Sequence, residues 1–369
     1  MRFRFLLGLL VGIGLLAPST AQGQLRSGAL SEQNEPPARP LPASARAAVL
    51  EPLAPVRPRT PEDDNLSLLE PAPSFHPQRF WYGVGSAAVL DAGFTAALAS
   101  VWYDEAERTS FHFYSESENI AGTAADDGWL DDWHTFAQVD KFGHVWTSWQ
   151  IARIVGGYGR WAGLSPGKSG LFGGIVSTVF QAQIEVNDGF SRAYGFSRTD
   201  ALTNLVGSTV GGLKVAYPER LDWVAAKYSY APSPYYGTQT TGVDGSGVGG
   251  YLGNAIKDYD GGTYWLTVRP EELLQGRARQ GWPDWLAFSA GYGGDGLAHA
   301  ISGMSYPDSP EGESYEHRRE FYIGPDIDLL HSLDLPQPFQ AMLRFFEFVR
   351  LPAPALQLAP EVRWHWVFY

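Results

Sequence analysis

Ionisable and amide side chains recur three or four residues apart within stretches that are otherwise apolar and rich in glycine and alanine. The recurring residues are Asp140, Lys141 and His144, then Glu185 and Asp188, then Ser197, Asp200 and Asn204. In an α-helix, residues with this spacing lie on one face, one turn apart. Because burying an ionisable group in an apolar bundle is costly, the pattern predicts that these side chains gather at one site.

Metal binding is one chemistry that such a site would support. His144 would supply an imidazole, and Glu185, Asp188 and Asp200 would supply carboxylates. This oxygen-rich set suits Mg, Mn, Ca or Zn. The sequence leaves the cofactor undetermined, and a divalent metal is the candidate.

Acid–base catalysis is the second chemistry, and a purely structural role is the alternative to both. Glu185 or Asp188 would act with His144 as the catalytic pair of a hydrolase working on envelope lipid or glycan. In the structural alternative, the polar cluster fixes the register of the helices without any reaction. The sequence contains neither an evident nucleophile–base pair nor a complete metal motif, which favours a structural or interaction role.

Simpler local roles also fit some of these residues. Asp140 has the residue type of a helix N-cap, and Ser197 with Asp200 has the spacing of a capping pair. A single histidine such as His144 is commonly a hydrogen-bonded core residue. These roles leave Glu185 unexplained, because its neighbours (Val179, Phe180, Ile184 and Val186) predict a buried helix. A buried carboxylate there requires a lysine, a histidine or a metal nearby.

Four helical segments would have to position the polar residues. The first is apolar from Phe80 to Tyr103, and the others are predicted at 141–158, 167–186 and 199–217. Glycines at 170, 173, 174, 207 and 211 would let these helices approach one another closely. The segments predict an α-helical bundle of about four moderately apolar helices.

The pattern changes after Pro218. Residues 228–262 are rich in Gly, Tyr, Ser and Asp, which predicts a loop. Runs of β-forming residues at 263–269, 285–292, 319–330 and 355–369 predict strands, with a short helix at 338–349. The predicted fold class is therefore α+β, with a helical bundle followed by a β-rich C-terminal part.

The first part of the chain has the pattern of an exported protein. Arg2 and Arg4 precede an apolar run and small residues, which predicts a signal peptide over residues 1–23. Residues 24–77 hold eleven of the 26 prolines and predict a disordered tether. The bundle would then span 78–218 and the β-rich region 219–369. Acidic doublets at 126–127 and 131–132 fit no calcium loop and are interpreted as solvated charge.

Composition restricts the partners. A formal net charge of -13 without a basic stripe argues against nucleic acid. The absence of cysteine excludes disulfides, thiolate metal sites and a lipid-modified cysteine. The 13 Trp and 18 Tyr residues are of the types that collect at membrane–water interfaces. We therefore expect a membrane or envelope component as the partner, with an apolar outer face of the bundle associating with the membrane.

The polar motifs also resemble a known family. The run from Asp140 to His144, the pair Glu185 and Asp188 before Gly189-Phe190-Ser191, and Phe196 to Asp200 with Asn204 and Gly207 resemble the YfiM-like family of bacterial envelope proteins, predicted periplasmic lipoproteins. The order of the motifs is also similar, more distantly, to VanZ-like membrane proteins. Segments at 283–285, 322–328 and 351–354 resemble the C-terminal part of longer members. The resemblance implies a location in the periplasm or outer membrane of a Gram-negative-type bacterium and supplies no established activity.

Overall fold

The computed structural model describes residues 71–102, 108–114, 129–130, 132–133, 135–192, 194–233, 258–297, 318–333 and 335–368. The predicted signal peptide, residues 24–70 of the predicted tether, and three residues of the acidic doublets (126, 127 and 131) lie outside the described residues. The described residues belong to one unit that spans 54–369.

Four long helices form the first part of the fold, as predicted. They are α1 (Pro77–Trp102), α2 (Val139–Trp161), α3 (Pro166–Asp188) and α4 (Arg198–Ala216). Pro166 opens α3 because its fixed φ suits the first helical position, where no amide donor is needed. Ser197 is the N-cap of α4, and its side chain accepts a hydrogen bond from the Asp200 amide over 3.0 Å. This confirms the predicted capping pair.

Glycines bring α2, α3 and α4 into backbone contact. A Cβ atom added at Gly207 of α4 would lie 2.2 Å from the carbonyl oxygen of Val145 in α2. A Cβ atom at Gly173 of α3 would lie equally close, 2.2 Å from the carbonyl oxygen of Ala152 in α2. No side chain larger than hydrogen fits at these two crossings. The helices therefore pack through small residues, as the glycine spacing predicts.

Helix α1 packs against α3 through aromatic pairs. The rings of Phe80 and Phe172 lie 5.2 Å apart between centroids, and those of Phe94 and Phe180 lie 5.4 Å apart. Among the helices that the structure describes, none has the length and hydropathy required to cross a membrane.

The residues just before α1 pack against the end of α2. The amide of Ala72 donates to the carbonyl of Trp161 over 3.1 Å, and the amide of His76 donates to that of Ala162 over 2.9 Å. Ala72, Ser74 and His76 are buried. The packed part of the chain therefore begins at or before residue 72, within the segment that the sequence assigned to the tether.

A six-stranded antiparallel sheet follows the helices, and each strand pairs with its neighbours in chain order. The strands are β1 (Val224–Tyr230), β2 (Gly262–Val268), β3 (Leu286–Asp295), β4 (Arg318–Ile327), β5 (Ala353–Ala359) and β6 (Arg363–Phe368). The prediction of a β-rich C-terminal part is confirmed. It missed β1, whose second half fell in the predicted loop, and it merged β5 with β6. Pro360 separates these two strands, because proline donates no backbone hydrogen bond to a ladder.

One short helix leads from α4 into β1, and four more connect the strands. They are α5 (Pro218–Leu221), α6 (Pro270–Leu273), α7 (Gly276–Gln280), α8 (Leu329–Ser332) and α9 (Gln337–Phe345). Helix α9 and the 3-10 turn Phe346–Phe348 together correspond to the predicted helix at 338–349.

The sheet contacts the bundle where α2 begins. Val139, the first residue of α2, is fully buried in an apolar cluster with Ala137, Tyr292 of β3 and Leu297. The ring of Phe142 stacks on Tyr292 with centroids 4.5 Å apart. The first turn of α2, which carries Asp140 and Lys141, is therefore held between the other helices and the sheet.

Candidate functional site

Helices α2, α3 and α4 present polar side chains at successive turns to a shared interior. Eight of these residues, with Asp132 from the segment before α2, form what we call the polar cluster: Asp132, Asp140, Lys141, His144, Ser148, Gln181, Glu185, Asp200 and Asn204. Eight of them are buried, and His144 is intermediate. The structure thus brings together six of the residues that the sequence singled out (140, 141, 144, 185, 200 and 204) and adds three.

Lys141 lies among three aspartates at one end of the polar cluster. Its Nζ donates to Asp200 Oδ1 over 2.6 Å and to Asp140 Oδ2 over 2.9 Å, and it also contacts the carboxylate of Asp132. Burial alone would lower the pKa of Lys141, but the three carboxylates together raise it well above its usual value. The ammonium group therefore stays charged.

One lysine cannot neutralise three aspartates, and their pKa values diverge. Burial, together with the charge of Asp200, raises the pKa of Asp132 to about 9. Burial likewise raises the pKa of Asp140. For Asp200, burial acts in the same direction, but His144 and Lys141 outweigh it and lower the pKa. Asp200 therefore carries its charge at neutral pH, whereas Asp132 retains its proton.

Asn204 is the hydrogen-bond centre of the other end of the cluster. Its Nδ2 donates to Glu185 Oε1 over 2.9 Å, and its Oδ1 accepts from Gln181 Nε2 over 2.9 Å and from Ser148 Oγ over 3.1 Å. His144 Nδ1 lies 3.0 Å from the same Oδ1. Because this oxygen accepts, the network assigns the proton of the neutral imidazole to Nδ1 and leaves a lone pair on Nε2.

Glu185 is a buried carboxyl group with little positive charge nearby to stabilise its ionised form. The residue is 1% exposed. Burial and the nearby Asp200 and Asp188 raise its pKa well above the usual value, and Lys141 offsets this only in part. Burial therefore favours the protonated form of Glu185 more strongly than that of an exposed glutamate.

Three donor groups in the polar cluster are close enough to share one metal ion. His144, Glu185 and Asp200 each offer a ligand atom, and these atoms lie within 4.8 Å of one another. His144 Nε2 is 3.6 Å from Asp200 Oδ1, and a tetrahedral site with bonds of about 2.1 Å separates its ligand atoms by roughly 3.4 Å. The Nδ1 contact with Asn204 is the outer hydrogen bond that orients metal-binding histidines.

A second carboxylate group is less suited to a metal. Asp132, Asp140 and Asp200 also bring ligand atoms within 4.8 Å of one another. However, the Lys141 ammonium contacts all three of these carboxylates. A lysine already supplies the positive charge there, so we assign the candidate metal ligands to His144, Glu185 and Asp200.

Two residues that the sequence named lie outside this ligand set. Asp188 is the last residue of α3, and its backbone carbonyl accepts from the amides of Ser191 and Gly195, each over 2.9 Å. Its charge acts on Glu185, but it is not in the group whose ligand atoms converge. Ser197 serves as the N-cap of α4.

Asp140 is not the N-cap of α2. Gln138 occupies the N-cap position of α2, and Asp140 lies in the first helical turn. Its carboxylate accepts from the Lys141 amide and from Lys141 Nζ, each over 2.9 Å.

A left-handed turn precedes α2 and sets the position of Asp140. Phe136, Ala137 and Gln138 have φ values of 49°, 50° and 66°, which cost non-glycine residues about 1–2 kcal/mol each. The sheet holds the turn, because Tyr292 donates to the Ala137 carbonyl and Arg319 Nε donates to Gln138 Oε1 over 3.0 Å. Retained strain of this kind often accompanies a functional site.

Sequence reasoning missed three members of the polar cluster. Ser148 lies four residues after His144, and Gln181 lies four residues before Glu185, so the same helical spacing would have found both. Asp132 was interpreted as solvated charge, but it is 5% exposed and contacts Lys141. It precedes the helix, where no periodicity marks it.

Comparison with known proteins supplies a location and no activity. Residues 126–216, which are 91 of the 369 in the chain, match the model of a family described as "Predicted periplasmic lipoprotein (DUF2279)". Neither the comparison with curated proteins nor that with solved structures finds a match. The matched range contains the whole polar cluster. The family indicates an exported protein of the periplasm or outer membrane.

Proposed function

We propose that this exported envelope protein binds a divalent cation through His144, Glu185 and Asp200. The observation that carries the proposal is the convergence of one imidazole and two carboxylates within 4.8 Å in a buried site. Hydrolysis of envelope lipid or glycan is an activity that such a site would support, because a bound divalent cation lowers the pKa of a coordinated water.

The charges in the polar cluster support a cation-binding role. Four carboxylates (Asp132, Asp140, Glu185 and Asp200) lie near one lysine and one histidine. Burial raises the pKa of both Asp132 and Glu185, which favours their protonated forms and reduces the excess of negative charge. A divalent cation would replace the Glu185 proton, so binding should release protons and strengthen as pH rises.

A second enclosed carboxylate, that of Glu347, has its negative charge neutralised by nearby cations and serves as a comparison for Glu185. Glu347 lies 2.5 Å from Arg269 Nη2, 3.4 Å from Arg153 Nη1 and 3.8 Å from Lys214 Nζ. Burial would raise the pKa of Glu347, but these cations lower it. Among the residues that the structure describes, Glu185 has His144 Nδ1 at 3.6 Å but no arginine or lysine at ion-pair distance, which distinguishes it from a carboxylate that only joins elements.

A non-catalytic structural role is the second candidate, and the hydrogen bonds around Asn204 favour it. This amide joins α4 to Glu185 and Gln181 of α3 and to Ser148 of α2. Such a network fixes the register of three helices without any ligand. This was the preferred interpretation from the sequence.

Thermal unfolding with and without metal separates the two candidates. The wild-type protein and Glu185→Gln would be melted in EDTA and in Mg²⁺, Mn²⁺, Ca²⁺ or Zn²⁺. We expect one of these ions to stabilise the wild type by about 2.7 kcal/mol at 100 times its Kd. Glu185→Gln should lose this response, because an amide is a much weaker metal ligand.

Glu347→Gln is the matched control. It removes a buried carboxylate outside the polar cluster, so it should lower the melting temperature and keep the full metal response. The cation proposal is wrong if no ion stabilises the wild type, or if both variants respond alike. Destabilisation of Glu185→Gln without any metal response would support the structural role.

A further inference from the structure

The two faces of the sheet differ sharply in polarity. Residues directly opposite each other on paired strands share a face, and the register places Leu266, Ala290, Ile323, Leu356 and Trp364 on one side. We call this side the outer face. It also carries Phe288, Phe321 and Trp366, and several of its side chains are well exposed, including Leu266 at 50%, Ile323 at 45% and Trp366 at 77%.

The helical bundle covers one end of the outer face. Tyr264 and Tyr292 continue this side of β2 and β3, and aromatic rings of α2 pack on them. Phe142 stacks on Tyr292, and the ring of Trp146 lies 6.1 Å from that of Tyr264 between centroids. Leu266 and Ile323 remain well exposed beside this contact, so α2 leaves much of the face uncovered.

The opposite side, the inner face, carries the charged strand residues together with a buried apolar cluster of Trp265, Tyr322, Ala355 and Phe368. Lys227 Nζ lies 2.8 Å from Asp326 Oδ2. Thr267 and Ser289 each donate to the same oxygen over 2.8 Å. Asp326 is fully buried, at 0% exposed. An ion pair with two hydroxyl donors is thus enclosed on the side of the sheet opposite the exposed apolar side chains of the outer face.

Contacts between distant strands show that the sheet curves around its inner face. Lys227 is in β1 and Asp326 is in β4, so two strands separate them in the sheet order. Strand spacing of about 4.8 Å would put their backbones roughly 14 Å apart in a flat sheet. Trp265 of β2 also contacts Phe368 of β6, with ring centroids 5.6 Å apart. The inner face is therefore concave and the outer face convex.

This arrangement is the reverse of that expected for a sheet in water. An antiparallel sheet with one solvated side places its charged residues on that side. Within the six strands described, Arg319 is the only Lys, Arg, Asp or Glu on the outer face, and it lies near the start of β4. The remaining charged strand residues are on the inner face or at strand ends. A contiguous exposed apolar surface of this kind indicates an apolar partner.

We infer that the outer face of the sheet lies against the acyl chains of an envelope membrane. Trp364 and Trp366 of β6 are exposed on this face, and tryptophan is the residue type enriched at the membrane–water boundary. Lipid chains can cover a convex surface completely, whereas two convex copies of this chain would bury little area against each other. With a net charge of -13, the contact must be hydrophobic rather than electrostatic.

The inference assigns membrane contact to a different element from the one that the sequence favoured. The sequence predicted an apolar outer face on the helical bundle. The inverted polarity of the strands provides an independent argument that involves no helix and does not depend on the cation site.

Site-directed fluorescence can test the inference, because the chain contains no cysteine. Single variants Leu266→Cys and Ile323→Cys would carry an environment-sensitive NBD label. Arg279→Cys would be the aqueous control, since Arg279 is 52% exposed in the charged connection between β2 and β3. The full chain would be mixed with phosphatidylethanolamine/phosphatidylglycerol vesicles that contain doxyl-labelled acyl chains.

Labels at 266 and 323 should shift to shorter emission wavelength and be quenched by the doxyl lipid, whereas the label at 279 should not. Quenching at 266 and 323 no greater than at 279 would overturn the inference. Concentration-dependent shielding of the two sheet labels without lipid quenching would also overturn it, and would assign the face to a second copy of the chain.

Vesicle flotation provides a second measurement. The double variant Leu266→Asp/Ile323→Asp should partition into vesicles at least about tenfold less than the wild type, because aspartate in hydrocarbon is costly. Wild-type binding should persist in high salt. Leu171→Asp tests membrane contact by the helices in the same way, since Leu171 of α3 is 66% exposed. If Leu171→Asp abolishes flotation and the sheet variant floats normally, the contact belongs to the helices and the inference fails.

Discussion

Asn204 donates a hydrogen bond from Nδ2 to Glu185 Oε1 over 2.9 Å and so joins α4 to the most buried carboxyl group of the polar cluster. Its Oδ1 accepts hydrogen bonds from both Gln181 Nε2 and Ser148 Oγ. Asn204→Ala would leave several buried polar groups without partners. We expect it to lower the free energy of unfolding by about 3 kcal/mol, measured by urea denaturation.

Asn187→Ala is the matched control for this loss. Asn187 is half-buried, and its Nδ2 donates to the Gln183 carbonyl one turn earlier, over 2.9 Å. Its removal should cost less than about 1 kcal/mol. Equal losses in the two variants would contradict the central role of Asn204.

Lys141 and Lys214 are both buried, but their surroundings predict different responses to removal. In Lys141→Met, three aspartates lose the cation that they share, which should cost about 3–5 kcal/mol. In Lys214→Met, Glu347 keeps Arg269 and Arg153, so the loss should be clearly smaller. Chemical denaturation at pH 7 measures both. The assignment fails if Lys214→Met is the more destabilised variant.

The raised pKa of Asp132 predicts how stability depends on pH in the presence of a chelator. Burial first, and then Asp200, raise this pKa from 3.8 to about 9, so the folded protein holds a proton that the unfolded chain has released. Stability should therefore fall as pH rises between about pH 4 and about pH 9, by up to about 1.4 kcal/mol per pH unit. The raised pKa of Glu185 acts in the same direction.

Asp132→Asn identifies the source of this dependence. The amide resembles the protonated carboxyl group and does not titrate, so the variant should lose less stability between pH 5 and pH 9 than the wild type. Parallel profiles of melting temperature against pH for the two proteins would show that Asp132 does not hold a proton in the folded state.

Helical spacing made much of the bundle and part of the site predictable. Side chains one turn apart must share a face, so the sequence alone places Asp200 and Asn204 together. The same rule extends to Ser148 and Gln181, which are uncharged and did not attract notice. Asp132 could not be placed in this way, because a left-handed turn connects it to α2 and no periodic pattern encodes that turn.

The inverted sheet was not predictable from composition or from single strands. Lys227 and Asp326 are 99 residues apart in sequence and pair only because the sheet curves. Alternation within β2 or β4 shows two faces, but it does not reveal which face is enclosed. Strand β1 was obscured by the Gly- and Tyr-rich segment that follows it, and it contains a single β-branched residue, Val224.

Replacement by alanine should have opposite effects on stability at Gly207 and at Gly157. A Cβ atom at Gly207 would lie 2.2 Å from the Val145 carbonyl oxygen, so Gly207→Ala must separate α4 from α2. We expect a loss of about 3 kcal/mol. Gly157 of α2 has no atom within 4 Å of an added Cβ, so Gly157→Ala should stabilise the helix by about 1 kcal/mol. Thermal unfolding of both variants checks the pair, and similar shifts would contradict the close α2–α4 contact.

The start of the folded region can be located by truncation. The sequence predicts that residues 24–77 are dispensable for folding, because their composition buries little apolar surface. The structure adds that Ala72 and His76 donate backbone hydrogen bonds to the carbonyls of Trp161 and Ala162, at the end of α2. A chain that begins at residue 71 should therefore keep the stability of the mature protein. A chain that begins at residue 78 lacks both backbone donors, although Arg79 Nη1 still donates to the Trp161 carbonyl over 3.4 Å, and it uncovers the surface beneath Ser74.

We expect the shorter chain to lose about 2 kcal/mol, which corresponds to a fall of about 3 °C in melting temperature for a chain of this size. Differential scanning calorimetry of the two truncated proteins measures the difference directly. Equal melting temperatures would show that the contacts of residues 71–76 add nothing to stability, and the folded region would then begin at α1. A large loss already in the chain that begins at residue 71 would instead show that part of the predicted tether packs on the domain.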